Sequence, residues 1–96
     1  MRVRYTATAR GEVDAISARI AADNPAAAVA VANAIKAAAD RLRSFPRIGS
    51  QTNAAGVSMR IARPYHYLIF YAVVDQTIFI RNVRHPARRR PQNNQS

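Results

Sequence analysis

The chain has 96 residues, 49% of them hydrophobic, and its 15 Lys and Arg outnumber its 5 Asp and Glu, for a formal net charge of +10. This length allows one domain with one modest core, and the charge points to a polyanionic target or an acidic partner protein. The absence of cysteine excludes disulfides and thiolate chemistry. No signal-peptide pattern and no run long enough to span a membrane are seen, so we expect a cytoplasmic protein.

Two helices are predicted in the first half of the chain. Apolar residues recur at helical spacing over residues 8–22, which predicts an amphipathic helix with Glu12 on its solvent-facing side. Asn24 is a good N-cap and Pro25 suits the first helical position, so a second helix is predicted over about residues 25–43. Its expected buried stripe consists of Ala28, Val31 or Ala32, Ile35, Ala38 or Ala39, and Leu42. The short connection predicts a close antiparallel hairpin.

The second half of the chain has the pattern of strands. Pro46 cannot continue a helix and Gly49 permits a turn, so the helix should end at SFPRIGS. From residue 57 onward apolar residues alternate, with Arg60 on the opposite face from its apolar neighbours. HYLIFYAVV and TIFIRNV, separated by the two residues DQ, predict a β-hairpin. The segment MRVRYTA can add one further strand.

The predicted fold is α+β, with an N-terminal strand, a helical hairpin and then a three-stranded antiparallel sheet, in a single domain over residues 1–88. Residues 89–96 are predicted to form a basic and polar tail without order. The strand YLIFYAVV is apolar on both of its faces, which predicts a central strand. Helices should cover one face of this strand, and a partner chain is a candidate to cover the other.

Five recognisable segments follow one another along the chain: VRYTATARGEVDAI, DNPAAA, LRSFPRIGS, PYHYLIFYAV and IFIRNVRHPARR. In this order and with these gaps they resemble the RelE/ParE toxins of bacterial type II toxin–antitoxin systems, and the resemblance covers residues 3 to about 88. It implies a toxin that a cognate acidic antitoxin neutralises in a hetero-oligomeric complex. No cofactor is implied.

The two branches of that family differ in mechanism. RelE-like toxins cleave messenger RNA in the ribosome, whereas ParE-like toxins are associated with poisoning DNA gyrase. An arginine of RelE-like enzymes aligns on or near Leu68, which cannot neutralise a phosphate, and no tyrosine follows Arg88 to act as an acid. FPRIG and DNPAAA also look more like ParE. The sequence is therefore interpreted as a ParE-like gyrase inhibitor that acts by binding and is not an enzyme.

Arginines on or near the ends of strands are the candidate binding residues, because guanidinium groups pair with carboxylate and phosphate. Those predicted to bind the target or the antitoxin are Arg60, Arg81, Arg84 and Arg88. Two alternatives stay open: a RelE-like endoribonuclease that acts on mRNA, or a degenerate toxin that retains only antitoxin binding. The endoribonuclease would use Arg60, Arg81, His85 and Arg88. His85 is otherwise expected to hydrogen-bond the backbone, and no metal site is expected.

Overall fold

A computed structural model describes residues 1–88, and the predicted tail, residues 89–96, lies outside the described residues. The elements are β1 (Arg2–Tyr5), α1 (Ala7–Ala21), α2 (Pro25–Arg41), β2 (Ser50–Gln51), β3 (Ser58–Ala62), β4 (Tyr67–Val74), β5 (Thr77–Arg84) and a 3₁₀ turn (Pro86–Arg88). The α+β architecture is confirmed. The strands form one five-stranded sheet in the order β1-β5-β4-β3-β2, where the sequence predicted three antiparallel strands.

Of the two additional strands, β1 is the N-terminal strand that the sequence predicted, and β2 was not predicted. β1 joins the sheet in parallel with β5, and β2 pairs only Ser50 and Gln51 with β3. A two-residue strand is too short to show an alternating pattern, and a parallel pairing between the two ends of a chain leaves no local signal.

The predicted helical hairpin is confirmed, and both helices begin at capped residues. The Thr6 hydroxyl accepts the Ala9 N–H at 3.1 Å, and the Asn24 side chain accepts the Ala27 N–H at 3.0 Å. The buried residues of α2 and its C-cap are Ala28, Val31, Ile35, Ala39 and Leu42, as the stripe predicted. Within residues 1–88, none of the helices is long and apolar enough to cross a membrane.

The β4–β5 hairpin turns at Asp75 and Gln76, which have φ values of 49° and 65°. This left-handed pair has the backbone of the two-residue turns that match the twist of a hairpin, so the predicted turn is confirmed. β4 is the central strand of the sheet. Further along the hairpin, Phe70 is opposite Asn82 while Tyr71 is opposite Ile80, which leaves a bulge at Arg81.

The two helices cover only one face of the sheet. Their buried residues form a core with alternate strand residues, namely Ala62, Tyr67, Ile69, Tyr71, Ile78, Ile80 and Val83. The Tyr71 hydroxyl ties the loop after α2 to this core, because it donates to the Pro46 carbonyl at 2.8 Å and accepts the Gly49 N–H at 3.0 Å. A Cβ on residue 49 would lie 2.6 Å from that hydroxyl and 2.8 Å from the Met59 carbonyl oxygen.

Gly49→Ala is therefore expected to lower the free energy of unfolding by about 1–3 kcal/mol, because a buried side chain or a strand must move. Gly11→Ala is the matched control, since a Cβ on this exposed glycine of α1 meets nothing within 4 Å. It should raise the stability by about 0.5–1 kcal/mol, the usual difference between glycine and alanine inside a helix. Urea denaturation followed by circular dichroism measures both. Equal stability of Gly49→Ala and the parent protein would contradict the close packing.

Candidate functional site

A cleft of about 500 Å³ lies between α1 and the end of the sheet at which β5 leaves it. We call it the strand-exit cleft. Its lining consists of Glu12, Ala15, Ile16, Arg19, Tyr67, Val83, Arg84 and His85. Three of these residues are aliphatic, and the other five carry a charge or a polar group that can hydrogen-bond.

The Glu12 carboxylate organises one side of the strand-exit cleft. It accepts the Val83 backbone N–H at 2.8 Å and the Asn82 side-chain amide at 3.3 Å, and it pairs with Arg84 Nε at 3.3 Å. β1 ends opposite Ile80, so within residues 1–88 the last residues of β5 have no strand beside them on this edge. The carboxylate supplies the acceptor that a strand would supply. The side chain of Glu12, which was expected to face solvent, is 25% exposed because it packs against this strand edge.

Tyr67 and His85 form the opposite side of the lining. Their rings meet edge to face, with centroids 5.4 Å apart. His85 Nδ1 accepts the Ala87 backbone N–H at 3.0 Å, so the neutral ring carries its proton on Nε2. Burial raises the pKa of the Tyr67 hydroxyl above its ordinary value of 10.0, and the charge of Arg19 acts in the opposite direction. The cleft thus presents hydrogen-bond donors beside a cation.

The predicted site residues are only partly brought together. Arg60 is opposite Ile69, a core residue, and so belongs to the helix-covered face of the sheet. Arg81 is exposed at the bulge, and its carbonyl accepts the Thr6 hydroxyl at 3.1 Å. Arg84 and His85 line the cleft. For Arg88, the structure describes only a backbone position in the closing 3₁₀ turn.

Three polar residues of the cleft were not predicted as site residues: Glu12, Arg19 and Tyr67. The two on α1 share a stripe with Ala15 and Ile16, because positions 12, 15, 16 and 19 repeat every three or four residues. That spacing was available in the sequence. Nothing in the sequence indicated that the stripe meets the end of β5.

The face of the sheet opposite the helices is a second candidate surface, which we call the open sheet face. Strand register places Met59 opposite Phe70, and Ile61 opposite Leu68. The open sheet face comprises Met59, Ile61, Leu68, Phe70, Ala72 and Phe79. Leu68 is buried, and the other five residues are half-buried. At the β1 edge, Arg4 is opposite Phe79 and Arg2 is opposite Thr77. The open sheet face is therefore an apolar strip that arginines border at the β1 edge.

A second cleft, of about 380 Å³, lies between β1 and the two helices. Its lining carries both signs of charge, from Arg10, Asp14, Lys36, Asp40 and Arg43. Lys36 and Asp40 pair there at 3.0 Å. This cleft is largely self-neutralised and is therefore a weaker candidate for binding an anion. Within residues 1–88, no group of three or more His, Asp or Glu side chains is arranged to hold a metal ion.

Comparison with known proteins gives two findings. A family model described as the ParE toxin of type II toxin–antitoxin system, parDE, matches residues 3–90. The fold is similar to a solved structure from P. aeruginosa, described as a chromosomal ParDE TA system, with a TM-score of 0.73 and 16% identity. That similarity covers 88% of this chain and 95% of the other chain. No curated protein matches the sequence.

Glu12→Ala is expected to lower the free energy of unfolding by about 1–3 kcal/mol, because the partly buried Val83 N–H loses its acceptor. Glu12→Gln should have a smaller effect, since an amide oxygen can still accept that bond while only the half-exposed pair with Arg84 is lost. Asp14→Ala, an exposed acidic residue of the same helix, is the control and should change stability by less than about 0.5 kcal/mol. If urea denaturation gives the same result for Glu12→Ala and Asp14→Ala, Glu12 does not stabilise the strand edge.

Proposed function

The chain belongs to the ParE toxin family of type II toxin–antitoxin systems, and from this premise we propose that it arrests growth in the cytoplasm by binding and inhibiting DNA gyrase. The observation that carries the proposal is the position of the cations at the strand exit. Arg81 and Arg84 are exposed at the end of β5, where guanidinium groups are accessible to carboxylates or phosphates of a large target. Guanidinium groups of this kind can bind a target without catalysing a reaction.

The geometry favours this proposal over RelE-like cleavage of messenger RNA. Cleavage requires cations and a proton-transfer group around one phosphate. Arg60 is on the helix-covered face and Arg81 lies outside the cleft that His85 lines. Leu68 occupies the open sheet face near the position where RelE-like enzymes have an arginine. His85 uses one ring nitrogen to accept a backbone hydrogen bond, which leaves a single nitrogen for other contacts.

We also propose that a cognate acidic antitoxin neutralises the toxin by laying an amphipathic segment on the open sheet face. Half-buried apolar residues such as Phe70 and Phe79 would contact the apolar side of the segment. Arg2 and Arg4 border the strip and would face its carboxylates. A net charge of +10 gives long-range attraction to such a partner. Salt should screen these peripheral ionic contacts while the apolar contacts persist.

The gyrase proposal is tested with purified protein in supercoiling and DNA-cleavage assays, with mRNA on translating ribosomes as the second substrate. The protein should inhibit supercoiling or trap cleaved DNA and leave the mRNA intact. Arg81→Ala should weaken inhibition by about tenfold, as expected for loss of a charged contact at an interface. Arg47→Ala, which removes the same charge from the exposed loop after α2, is the control and should not.

His85→Ala separates the two mechanisms. An inhibitor that acts by binding should retain most of its activity, because the ring's one hydrogen bond within residues 1–88 is to Ala87. An RNase that uses His85 as acid or base would lose on the order of 10² to 10⁴ in rate. Ribosome-dependent mRNA cleavage that this substitution abolishes would refute gyrase inhibition. Absence of both activities, with antitoxin binding retained, would identify a degenerate toxin.

The antitoxin proposal is tested by co-expression with the small acidic protein that we expect to be encoded beside this chain. Soluble yield should rise, and the complex should persist at high salt with weaker affinity. Phe79→Ala should weaken binding by about tenfold or more, since a buried aromatic anchor is lost. Val29→Ala is the matched control, because this valine of α2 is 61% exposed on the other side of the molecule. Equal affinities of the two variants would exclude the open sheet face as the binding surface.

A further inference from the structure

One hydroxyl group in the strand-exit cleft has no partner within residues 1–88. The ring of Tyr67 packs in the core while the residue lines the cleft, and its hydroxyl has no hydrogen-bond partner among the residues that the structure describes. The other buried tyrosine of β4, Tyr71, has both a donor and an acceptor for its hydroxyl. A tyrosine hydroxyl can both donate and accept a hydrogen bond, so the Tyr67 hydroxyl is available to a ligand that enters the cleft.

The cations of the cleft point to an anionic ligand. Glu12 is the only carboxylate in its lining, and three donors already engage it. Within residues 1–88 the ion pairs are Lys36–Asp40 and Arg84–Glu12, which leaves Arg19 without an acidic partner. Three donor groups of the cleft therefore have no acceptor among the described residues: the Arg19 guanidinium, the Tyr67 hydroxyl and the Nε2–H of His85.

We propose that the strand-exit cleft binds a carboxylate side chain of an acidic peptide segment, through the Arg19 guanidinium, the Tyr67 hydroxyl and His85 Nε2. The aliphatic residues of the lining, Ala15, Ile16 and Val83, suit the methylene groups of a glutamate. A nucleic-acid phosphate would bring a polar sugar against the same aliphatic residues, which is less favourable. A glutamate side chain matches both parts of the lining, because its methylene groups are apolar and its carboxylate is charged.

The position of the cleft connects this site to the open sheet face. Arg84 lines the cleft and is opposite Leu68, a residue of the open sheet face. One extended segment can therefore contact both surfaces around the end of the sheet. The identity of the segment rests on the proposed function, since we take it to be part of the antitoxin. The site itself is defined by the side chains of this chain alone.

The test is an NMR titration of the isotope-labelled full chain with acetylated, amidated hexaglutamate, with hexaglutamine as the uncharged reference. Hexaglutamate should shift the side-chain signals of Arg19, Tyr67 and His85, and hexaglutamine should not. Arg19→Ala should weaken binding by about tenfold and Tyr67→Phe by about threefold, as for loss of a charged and a neutral hydrogen bond. Arg10→Ala is the matched control, since it removes the same charge from α1 but lines the other cleft.

Equal weakening by Arg19→Ala and Arg10→Ala would show that hexaglutamate binds only through general charge attraction, and would overturn the proposal. So would shifts in the cleft with hexathymidylate and none with hexaglutamate. Tyr67→Phe keeps the ring that packs on His85, so an unchanged amide spectrum shows that the variant is folded. The titration contains neither gyrase nor antitoxin. Failure of the cleft therefore leaves gyrase inhibition intact, and failure of gyrase inhibition leaves peptide binding intact.

Discussion

A single helical hairpin can cover only one face of a five-stranded sheet, and the rest of this structure follows from that constraint. Ile69 and Tyr71, two residues of β4 that face the helices, are fully buried. The intervening residues of the same strand are apolar as well, but no helix of residues 1–88 contributes core residues on that side. Within residues 1–88 no further helix or strand covers this face, and Phe70 and Ala72 are only half-buried there. An apolar face that the fold leaves open is the kind of surface that partner proteins use, and the partner then completes the second layer of the domain.

The length of β1 determines the chemistry at the other end of the sheet. Because β1 stops opposite Ile80, the backbone of β5 beyond that residue has no strand of residues 1–88 on its β1 edge, and α1 supplies Glu12 instead. The same carboxylate then holds Arg84, whose charge it partly neutralises. Arg84 is thus a positioned and compensated cation, whereas Arg19 and Arg81 have no acidic partner among the described residues. Arg19 and Arg81 therefore gain more free energy than Arg84 does when an external anion binds them.

Local signals in the sequence were sufficient for the elements but not for the site. The Asn24 cap, the adjoining proline and the DQ turn act within a few residues, so the helical hairpin and the β-hairpin could be predicted. The parallel pairing of β1 with β5 joins opposite ends of the chain, and the bulge at Arg81 changes which face later residues occupy. Helical periodicity placed Glu12 away from the apolar stripe, but it could not show that a strand edge lies there. The sequence grouped Arg60 and His85 in one candidate endoribonuclease site. In the structure Arg60 lies on the helix-covered face of the sheet, whereas His85 lines the strand-exit cleft.

The distribution of charge connects neutralisation to the toxic activity we propose. Of the five acidic residues, Glu12 and Asp40 are engaged in ion pairs within the chain, so few carboxylates remain to offset fifteen basic residues. The uncompensated arginines attract any acidic surface, whether it belongs to an antitoxin or to a target. If an antitoxin carboxylate enters the strand-exit cleft, its chain lies at the end of β5, close to Arg81. A target that needs the same end of the strand is then excluded by occupancy alone. Neutralisation by this route requires no change in the toxin's fold, only an antitoxin that binds these arginines more tightly than the target does.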